Sequence, residues 1–593
     1  MHVIDYTIIG VYLLLIVVIG YIIQRRADKN IDTYFLGGRK MPWWMLGASG
    51  MAANVDISGT MINTALIYAL GTYAIFIEFR GGVVLILAFL MVLMGKWNRR
   101  SGVMTLAEWM HLRFGKNIQG DFARLISAIA SLILTIALIS YFAIASGKFA
   151  AEFLNIDWRL AAVIMVAIAG SYCVASGLYA VVWMDVLQGF IILGVTLFIC
   201  IKAFTTAQVG DVIQTSVPLF DGGYEIITTT YKQWTSMLPP ARLNLPGDYS
   251  IYNLFGVAVA FYFLKAVLEG FGGGNNYMAQ RFYACKNDKE AGLTSLFWIF
   301  LLMFRWPLTA SLALLGVYYG MNHGVITDPE QVLPVVVNTY MPLGIKGLVV
   351  AGFIAAAMST VDATVNAGAS YWVRDIFQGY INPKASEKTL MIHSKMSTVI
   401  ILILGLFFSF TVRNVNEIWG WTMMGIASGI LIPQLLRWYW WRFNGYGFAI
   451  GTFAGTLTAI IIRIFFGLIP EYYLFIVSAG ASLMGCIVGT YLTTPTDMAV
   501  LENFYKNTRP FGFWGKVSDC VNPETMALIK KEHRRDIFSV IVAVPWQVCL
   551  FLAGMMLIFR RWDNFFILLA ILSVLSLILY FNWYRYLDKE VKL

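Results

Sequence analysis

The sequence predicts an all-α integral membrane protein of about fifteen transmembrane helices. Three features predict it. Of the 593 residues, 59% are apolar and only 13% are charged, with a mean hydropathy of +0.70. Soluble domains carry roughly 25% charged residues. Apolar runs close to the ~20 residues that cross the hydrocarbon recur along the whole chain. Lys and Arg concentrate in alternate loops, as the positive-inside rule asks of a multi-pass bundle. These features exclude a soluble enzyme, a disordered chain and a nucleic-acid binder. The net charge of +10 then belongs to loops on one membrane face, not to an anionic partner.

Taken in order, the first run, residues 4–23, lacks a basic leader and ends at Arg25-Arg26. It reads as a retained helix rather than a cleaved signal. Runs follow at 43–70, 73–96, 122–154, 158–177 and 181–203. After a polar stretch, 204–250, they resume at 251–272, 290–320, 343–371, 391–412, 415–438, 446–467, 470–494, 536–559 and 563–584. With the N-terminus outside, the inner loops hold Arg25, Arg26, Lys29, Arg39 and Lys40, then Arg99, Arg100, Arg113 and Lys116. Later inner loops hold Arg281, Lys286 and Lys289, then Arg374, Lys384 and Lys388, then Arg437 and Arg442. The last inner loop is the most basic, running from Lys506 to Arg535. Outer loop 204–250 has only Lys232 and Arg242, and loop 321–342 has neither Lys nor Arg. Arg560-Arg561, in a short outer turn, is the exception. Residues 104–115 read as a short interfacial helix, and 495–535 as a structured cytoplasmic loop. The six cysteines form no C-x-x-C pair and read as packing residues.

Several residues do not belong in lipid. In the second span, Asn54, Asp56, Ser58, Gly59 and Thr60 fall within seven positions. Gly and Asn are poor helix formers, and a lone carboxylate at this depth is costly. The stretch reads as a broken helix whose freed amides and carbonyls can face an ion or solute; the bland alternative is a kink satisfied by neighbours. In the ninth span, Ser359, Thr360 and Asp362 follow a run of small residues. Hydroxyls, carbonyls and a carboxylate suit a hard cation. A Ser-Thr pair bonded back onto its own helix turn is the competing account. Glu78, Arg80, Lys148, Asp185, Lys265, Glu269 and Arg305 are further charges within spans. Lys265 and Glu269 sit four apart and can pair, whereas Glu78 and Arg80 face different ways. No metalloprotease, nucleophile-elbow or phosphate-loop motif occurs, so no enzyme chemistry is expected.

At these residues the chain resembles the sodium:solute symporter family, the group of the galactose, proline and sialic acid symporters. The similarity is carried by DTYFLGGRKMPWW at 32–44, DISG at 56–59, GLYAVVWMDVLQ at 177–188, NNYMAQRFYACKNDKEA at 275–291 and MST at 358–360. It runs from about residue 5 to about residue 494, and the tail is similar to longer members only. The resemblance implies a LeuT-like core of two five-helix inverted repeats, residues 43–203 and 251–438. Residues 1–42 precede it, loop 204–250 separates the halves, and 439–593 follow with loop 495–535. The Gly-rich end of the seventh span, 270–274, sits at the position in the second half that matches the Asn54–Thr60 break.

The resemblance further implies sodium-coupled import of a small polar solute by alternating access. The implied location is a bacterial inner membrane, with the N-terminus outside and the C-terminus cytoplasmic. One or two sodium ions are the expected cofactors. No nucleic acid and no obligatory protein partner are expected beside solute and lipid. By motif, the principal sodium site falls on Asn54, Ile57, Ala356, Ser359 and Thr360. A shifted register gives Ala52 and Val55 on the broken helix. A second sodium site, present in some members, falls on Asp185, but its partner serines are Asp362 and Ala363 here. Two acids there either hold a cation more tightly or share a proton. The positions that hold sugar in the galactose members read Met61, Leu268 and Leu302. Solute recognition is therefore expected from Asp56, Ser58, Gly59, Thr60, Glu78, Arg80, Lys148 and Glu269, with Arg305 as a further cation and Phe76 and Phe271 as gates. Arg80, Lys148 and Arg305 suit a carboxylate; Asp56, Glu78 and Glu269 suit an amine. The rival functions are a sodium- or solute-responsive sensor or channel on the same scaffold, and a membrane enzyme.

Overall fold

The computed structural model describes residues 1–27, 41–81, 85–103, 108–173, 178–274, 276–467 and 469–587. Lys29, Arg39 and Lys40 of the first inner loop, and most of the 32–44 motif, lie outside the described residues. So do residues 104–107 of the expected interfacial helix, Gly177 and Asn275.

The chain folds as helices in nearly the predicted order. They are α1 (Val3–Ala27), the pair α2 (Trp43–Ala52) and α3 (Ile57–Leu70), and a third span that ends in α4 (Gly95–Arg100). Next come α5 (Glu108–Phe114), α6 (Ile118–Leu154), α7 (Trp158–Cys173) and α8 (Leu178–Thr206). The second half holds α9 (Phe255–Gly272), α10 (Asn276–Ala284), α11 (Asp288–Leu302), α12 (Arg305–His323) and α13 (Val332–Tyr340). It continues with α14 (Ile345–Ser370), α15 (Glu387–Ser409), α16 (Val415–Trp421) and α17 (Ala427–Tyr439). The tail is α18 (Gly445–Phe466), α19 (Glu471–Tyr491), α20 (Met498–Thr508), α21 (Pro523–Ile558) and α22 (Trp562–Asn582). Twelve helical stretches among the described residues are long and apolar enough to cross a membrane, and two shorter apolar ones, Val3–Leu15 and Trp158–Ser171, join them.

Several helices start where a side chain can close the first turn. Asn117, Asn287, Ser386, Asn414, Asn444 and Asn522 each accept a backbone N–H of the helix that follows. These caps satisfy amides that the helix itself leaves unpaired.

Burial sorts the helices by layer. In the stretch 345–381, 94% of the apolar window is buried inside the protein, against 17% in 562–586. Helix α14 is thus the central post, packed by α1, α6, α7, α8 and α15. Helix α22 is a peripheral helix whose apolar side chains, such as Phe566, Val574 and Leu577, lie exposed on the outside of the bundle. Helix α2 packs on α8 and α11, and α3 on α12.

The structure corrects three details. The polar stretch 204–250 carries an antiparallel hairpin, β1 (Val212–Pro218) and β2 (Tyr224–Thr230), which apolar periodicity did not reveal. The fourteenth span begins at Pro523 rather than 536, because Asn522 caps a helix whose polar first turns precede the apolar part. Finally, Arg113, Arg281 and Arg437, counted as loop charges, are fully buried. Arg113 donates to the carbonyls of Arg437, Trp440 and Phe443, and the Arg437 guanidinium lies 3.9 Å from the centre of the Trp109 ring.

Candidate functional site

The break in the second span builds the site. Helix α2 stops at Ala52 and α3 starts at Ile57. Asp56 is extended (φ −79°, ψ 161°), and its carboxylate accepts the Gly59 N–H at 2.9 Å. Asp is a favoured residue at that cap position, so DISG encodes a helix restart. The Thr60 hydroxyl donates to the Asp56 carbonyl at 2.6 Å. The carbonyls between the two half-helices therefore lose their ladder partners. One of them, on Ala53, accepts the Thr360 hydroxyl at 3.0 Å, and the same hydroxyl lies 3.0 Å from the Ala356 carbonyl. The break and the hydroxyl pair thus meet in the buried interior.

The remaining residues expected to bind the ion are placed as follows. Ser359 donates to the Asp185 carboxylate. Ile57 is the first residue of α3, so its carbonyl enters the helical ladder; Ala53, not Ile57, presents the carbonyl to Thr360. The Asn54 side-chain oxygen accepts the Trp298 indole N–H at 3.1 Å. Asp362 is buried against Cys173 of α7. Asp185 accepts the Ser49 hydroxyl at 2.5 Å and lies 3.4 Å from the Arg281 guanidinium. Arg281 also donates to the Ser49 hydroxyl at 2.7 Å. One network thus joins α2, α8, α10 and α14 just beyond the break.

On the hairpin side of the break, the charges form a second network. Arg80 donates to Glu471 at 2.5 Å, to Asn416 at 2.6 Å and to the Tyr252 hydroxyl at 2.9 Å. Glu78 lies 3.7 Å from Arg80, and Tyr262 donates to Glu471 at 2.7 Å. Glu471 passes directly over Gly420, where a Cβ would stand 2.1 Å from its carboxylate oxygen. The Asn63 amide, oriented to satisfy its neighbours, donates to Glu78 at 3.1 Å and accepts from Arg305 at 3.3 Å. Arg305 itself lies 3.7 Å from Asp56.

Lys148 donates to Glu330 at 2.5 Å, near the hairpin. Burial raises the Glu330 carboxyl, and the Lys148 ammonium opposes that shift. Lys265 donates to Glu269 at 2.5 Å, the pair expected from their spacing. Phe76 stands edge-on to Phe79, and Phe271 edge-on to Phe89.

A cavity of about 100 Å³ opens at the break. Ala53, Asn54, Asp56, Thr360, Arg305 and Glu269 contribute its polar wall. Tyr141, Phe142 and Trp419 contribute an aromatic one. The Tyr141 and Trp419 rings stack 4.7 Å apart. The Gly-rich break after α9 is different in kind. Its released carbonyls on Phe271, Gly272 and Gly273 accept from Tyr439, Trp438 and Asn98. That break is closed by protein side chains.

Sequence reasoning missed Arg281, Tyr141, Trp419 and Glu471 as site residues. Arg281 looked like one more loop charge. Glu471 starts a helix outside the expected core, and aromatic side chains in spans are too common to single out.

Comparisons with known proteins agree with this architecture. The sodium:solute symporter family profile matches residues 34–455. The sodium/glucose cotransporter of Vibrio parahaemolyticus is 26% identical over 494 residues, covering 78% of this chain and 85% of its own. The high-affinity proline transporter PutP of Bacillus subtilis is 23% identical over 516 residues, covering 83% and 99%. A solved structure of a Na⁺-coupled sialic acid symporter, substrate-bound and outward-open, superposes with a TM-score of 0.63 at 18% identity, covering 84% of this chain and 99% of that one.

Proposed function

The chain belongs to the sodium:solute symporter family, and from that premise we propose that it is a sodium-coupled secondary active transporter of a small polar organic solute. The fold is the LeuT-like bundle, embedded as a multi-pass membrane protein. The halves 43–203 and 251–438 act as inverted repeats about the break. The N-terminus and the hairpin lie outside, because the basic loops lie at the other face. We place the protein in a bacterial plasma membrane, where an inward sodium gradient and the membrane potential drive import.

The single observation that carries the proposal is the Thr360 hydroxyl, shared at 3.0 Å between the carbonyls of Ala53 and Ala356. Two carbonyls and a hydroxyl at one point are hard oxygen donors, as sodium requires. Ser359 lies one residue away, and Asn54 and the alternative carbonyls of Ala52 and Val55 belong to the same break. Sodium bound there ties α2 and α3 to the central post α14. It holds the break in the geometry that completes the solute cavity, where Asp56, Ser58, Gly59 and Thr60 open α3. A coupling of about 1–3 kcal/mol between ion and solute is the ordinary scale. The potential adds about 2.3 kcal/mol per charge per 100 mV.

We read Asp185 as already charge-balanced by Arg281, which favours one sodium per cycle over two. Arg80, Glu78 and Glu471 close the hairpin side of the cavity, and Lys148 with Glu330 lines its approach. Phe76 lies toward the hairpin side and Phe271 toward the other.

The test is uptake into proteoliposomes across a solute panel, with an inward sodium gradient, a proton gradient or neither. Accumulation only with the sodium gradient supports symport. A solute-gated current without accumulation replaces it with the channel reading, and accumulation only with the proton gradient overturns the ion assignment.

A further inference from the structure

The charged candidates for solute recognition are separated by their partners. Arg80 is taken by Glu471, Asn416 and Tyr252, Lys148 by Glu330, and Glu269 by Lys265. Arg305 is not taken in this way. It is 6% exposed and lines the cavity. Its nearest acid, Asp56, stands 3.7 Å off, beyond hydrogen-bond distance, with its other oxygen committed to the Gly59 N–H. Asn63 accepts one Arg305 N–H. A guanidinium has five such donors, and among the described residues no other acceptor meets them. A buried cation with unused donors is costly until a ligand supplies acceptors.

We propose that Arg305 is the recognition residue for a carboxylate on the transported solute, and that the solute is a small carboxylic acid or amino acid with an apolar body. This rests on the symport reading above. Planar guanidinium matches carboxylate with two parallel hydrogen bonds. Leu134, Leu138, Phe142, Trp419 and Met423 surround the same space and suit an apolar body. A neutral sugar offers hydroxyl acceptors but no counter-charge to the guanidinium, and a lone amine meets a like charge. An amino acid is accommodated as well, because the Asp56 carboxylate lines the same cavity and can face an ammonium. Gly59 keeps the guanidinium at the break, since a Cβ there would stand 2.0 Å from the Arg305 Nη2.

The experiment measures protection of the purified full chain from thermal unfolding, in sodium chloride and in choline chloride. The probes are isobutyrate and isobutyramide, L-valine and L-valinamide, galactose and isobutylamine. The acids are expected to bind about ten- to hundredfold more tightly than their amides, the range for a charge-assisted contact. In Arg305→Gln that preference disappears while sodium alone still protects, which shows that the variant is folded. Arg305→Lys restores part of it. An acid preference that survives in Arg305→Gln overturns the proposal, as does protection of the native chain by galactose or isobutylamine but not by acids. If acids bind through Arg305 yet no sodium gradient concentrates them, the symport reading fails and this assignment stands. If a sodium gradient concentrates galactose equally in native and Arg305→Gln protein, symport stands and this assignment fails.

Discussion

Replacing Thr360 by Val removes one hydroxyl and keeps the side-chain shape, so it isolates the polar contribution at the break. Thr360 is buried at 3% exposure, and its hydroxyl lies 3.0 Å from both the Ala53 and Ala356 carbonyls. Losing one oxygen from a bound cation's shell costs about 1.5–3 kcal/mol, the scale of a hydrogen bond to a charged group. That converts to a rise of roughly ten- to hundredfold in the sodium concentration for half-maximal uptake. Thr360→Ser keeps the hydroxyl and is expected to stay within about threefold. The assay is initial uptake in proteoliposomes as sodium is varied at fixed ionic strength, with choline as the replacement. Maximal uptake at saturating sodium is expected to fall less than the affinity. Stability of the ion-free protein is expected to fall by about 1–3 kcal/mol, because the buried Ala53 carbonyl loses the hydroxyl it accepts. A Thr360→Val protein that transports with the native sodium requirement would refute the reasoning, since the hydroxyl would then serve only to brace the two helices.

Other outcomes follow from the same geometry. Glu471→Gln strips the buried Arg80 of the nearer of its two acids, leaving Glu78 at 3.7 Å; thermal unfolding in detergent is expected to show a loss of about 2–4 kcal/mol, and an unchanged midpoint would place the pair outside the stabilising network. Gly59→Ala puts a Cβ 2.0 Å from the Arg305 guanidinium, so sodium binding is expected to survive while solute uptake drops at least tenfold; native uptake would count against Arg305 at the break. Among the described residues, Arg281→Gln leaves Asp185 with the Ser49 and Ser359 hydroxyls and no cation, and the sodium dependence of uptake is expected to steepen as the acid recruits a second cation. An unaltered, non-cooperative sodium curve with intact uptake would show that Arg281 does not stand in for an ion.

The helical bundle was legible along the chain because the bilayer reads composition locally. A run of apolar residues must become a helix, since its backbone has no water to bond. The broken span was legible for the same reason. Asp56, Ser58 and Gly59 disobey the lipid rule, and Asp56 proves to be the cap that restarts α3. The Gly273 break looked equivalent in sequence, yet its carbonyls are closed by Trp438, Tyr439 and Asn98 from distant parts of the chain.

What the order of residues determined alone was thus where the chain enters lipid and where it cannot remain a regular helix. Which charges answer one another was decided by packing. Arg281 finds Asp185 across 96 positions and Arg80 finds Glu471 across 391, and no local pattern encodes such a meeting. The physical reason is that a buried charge is paired by whatever helix lies beside it, and the neighbours exist only once the bundle has closed. Arg305 keeps its open donors for the same reason: the folded neighbours stop just short of it.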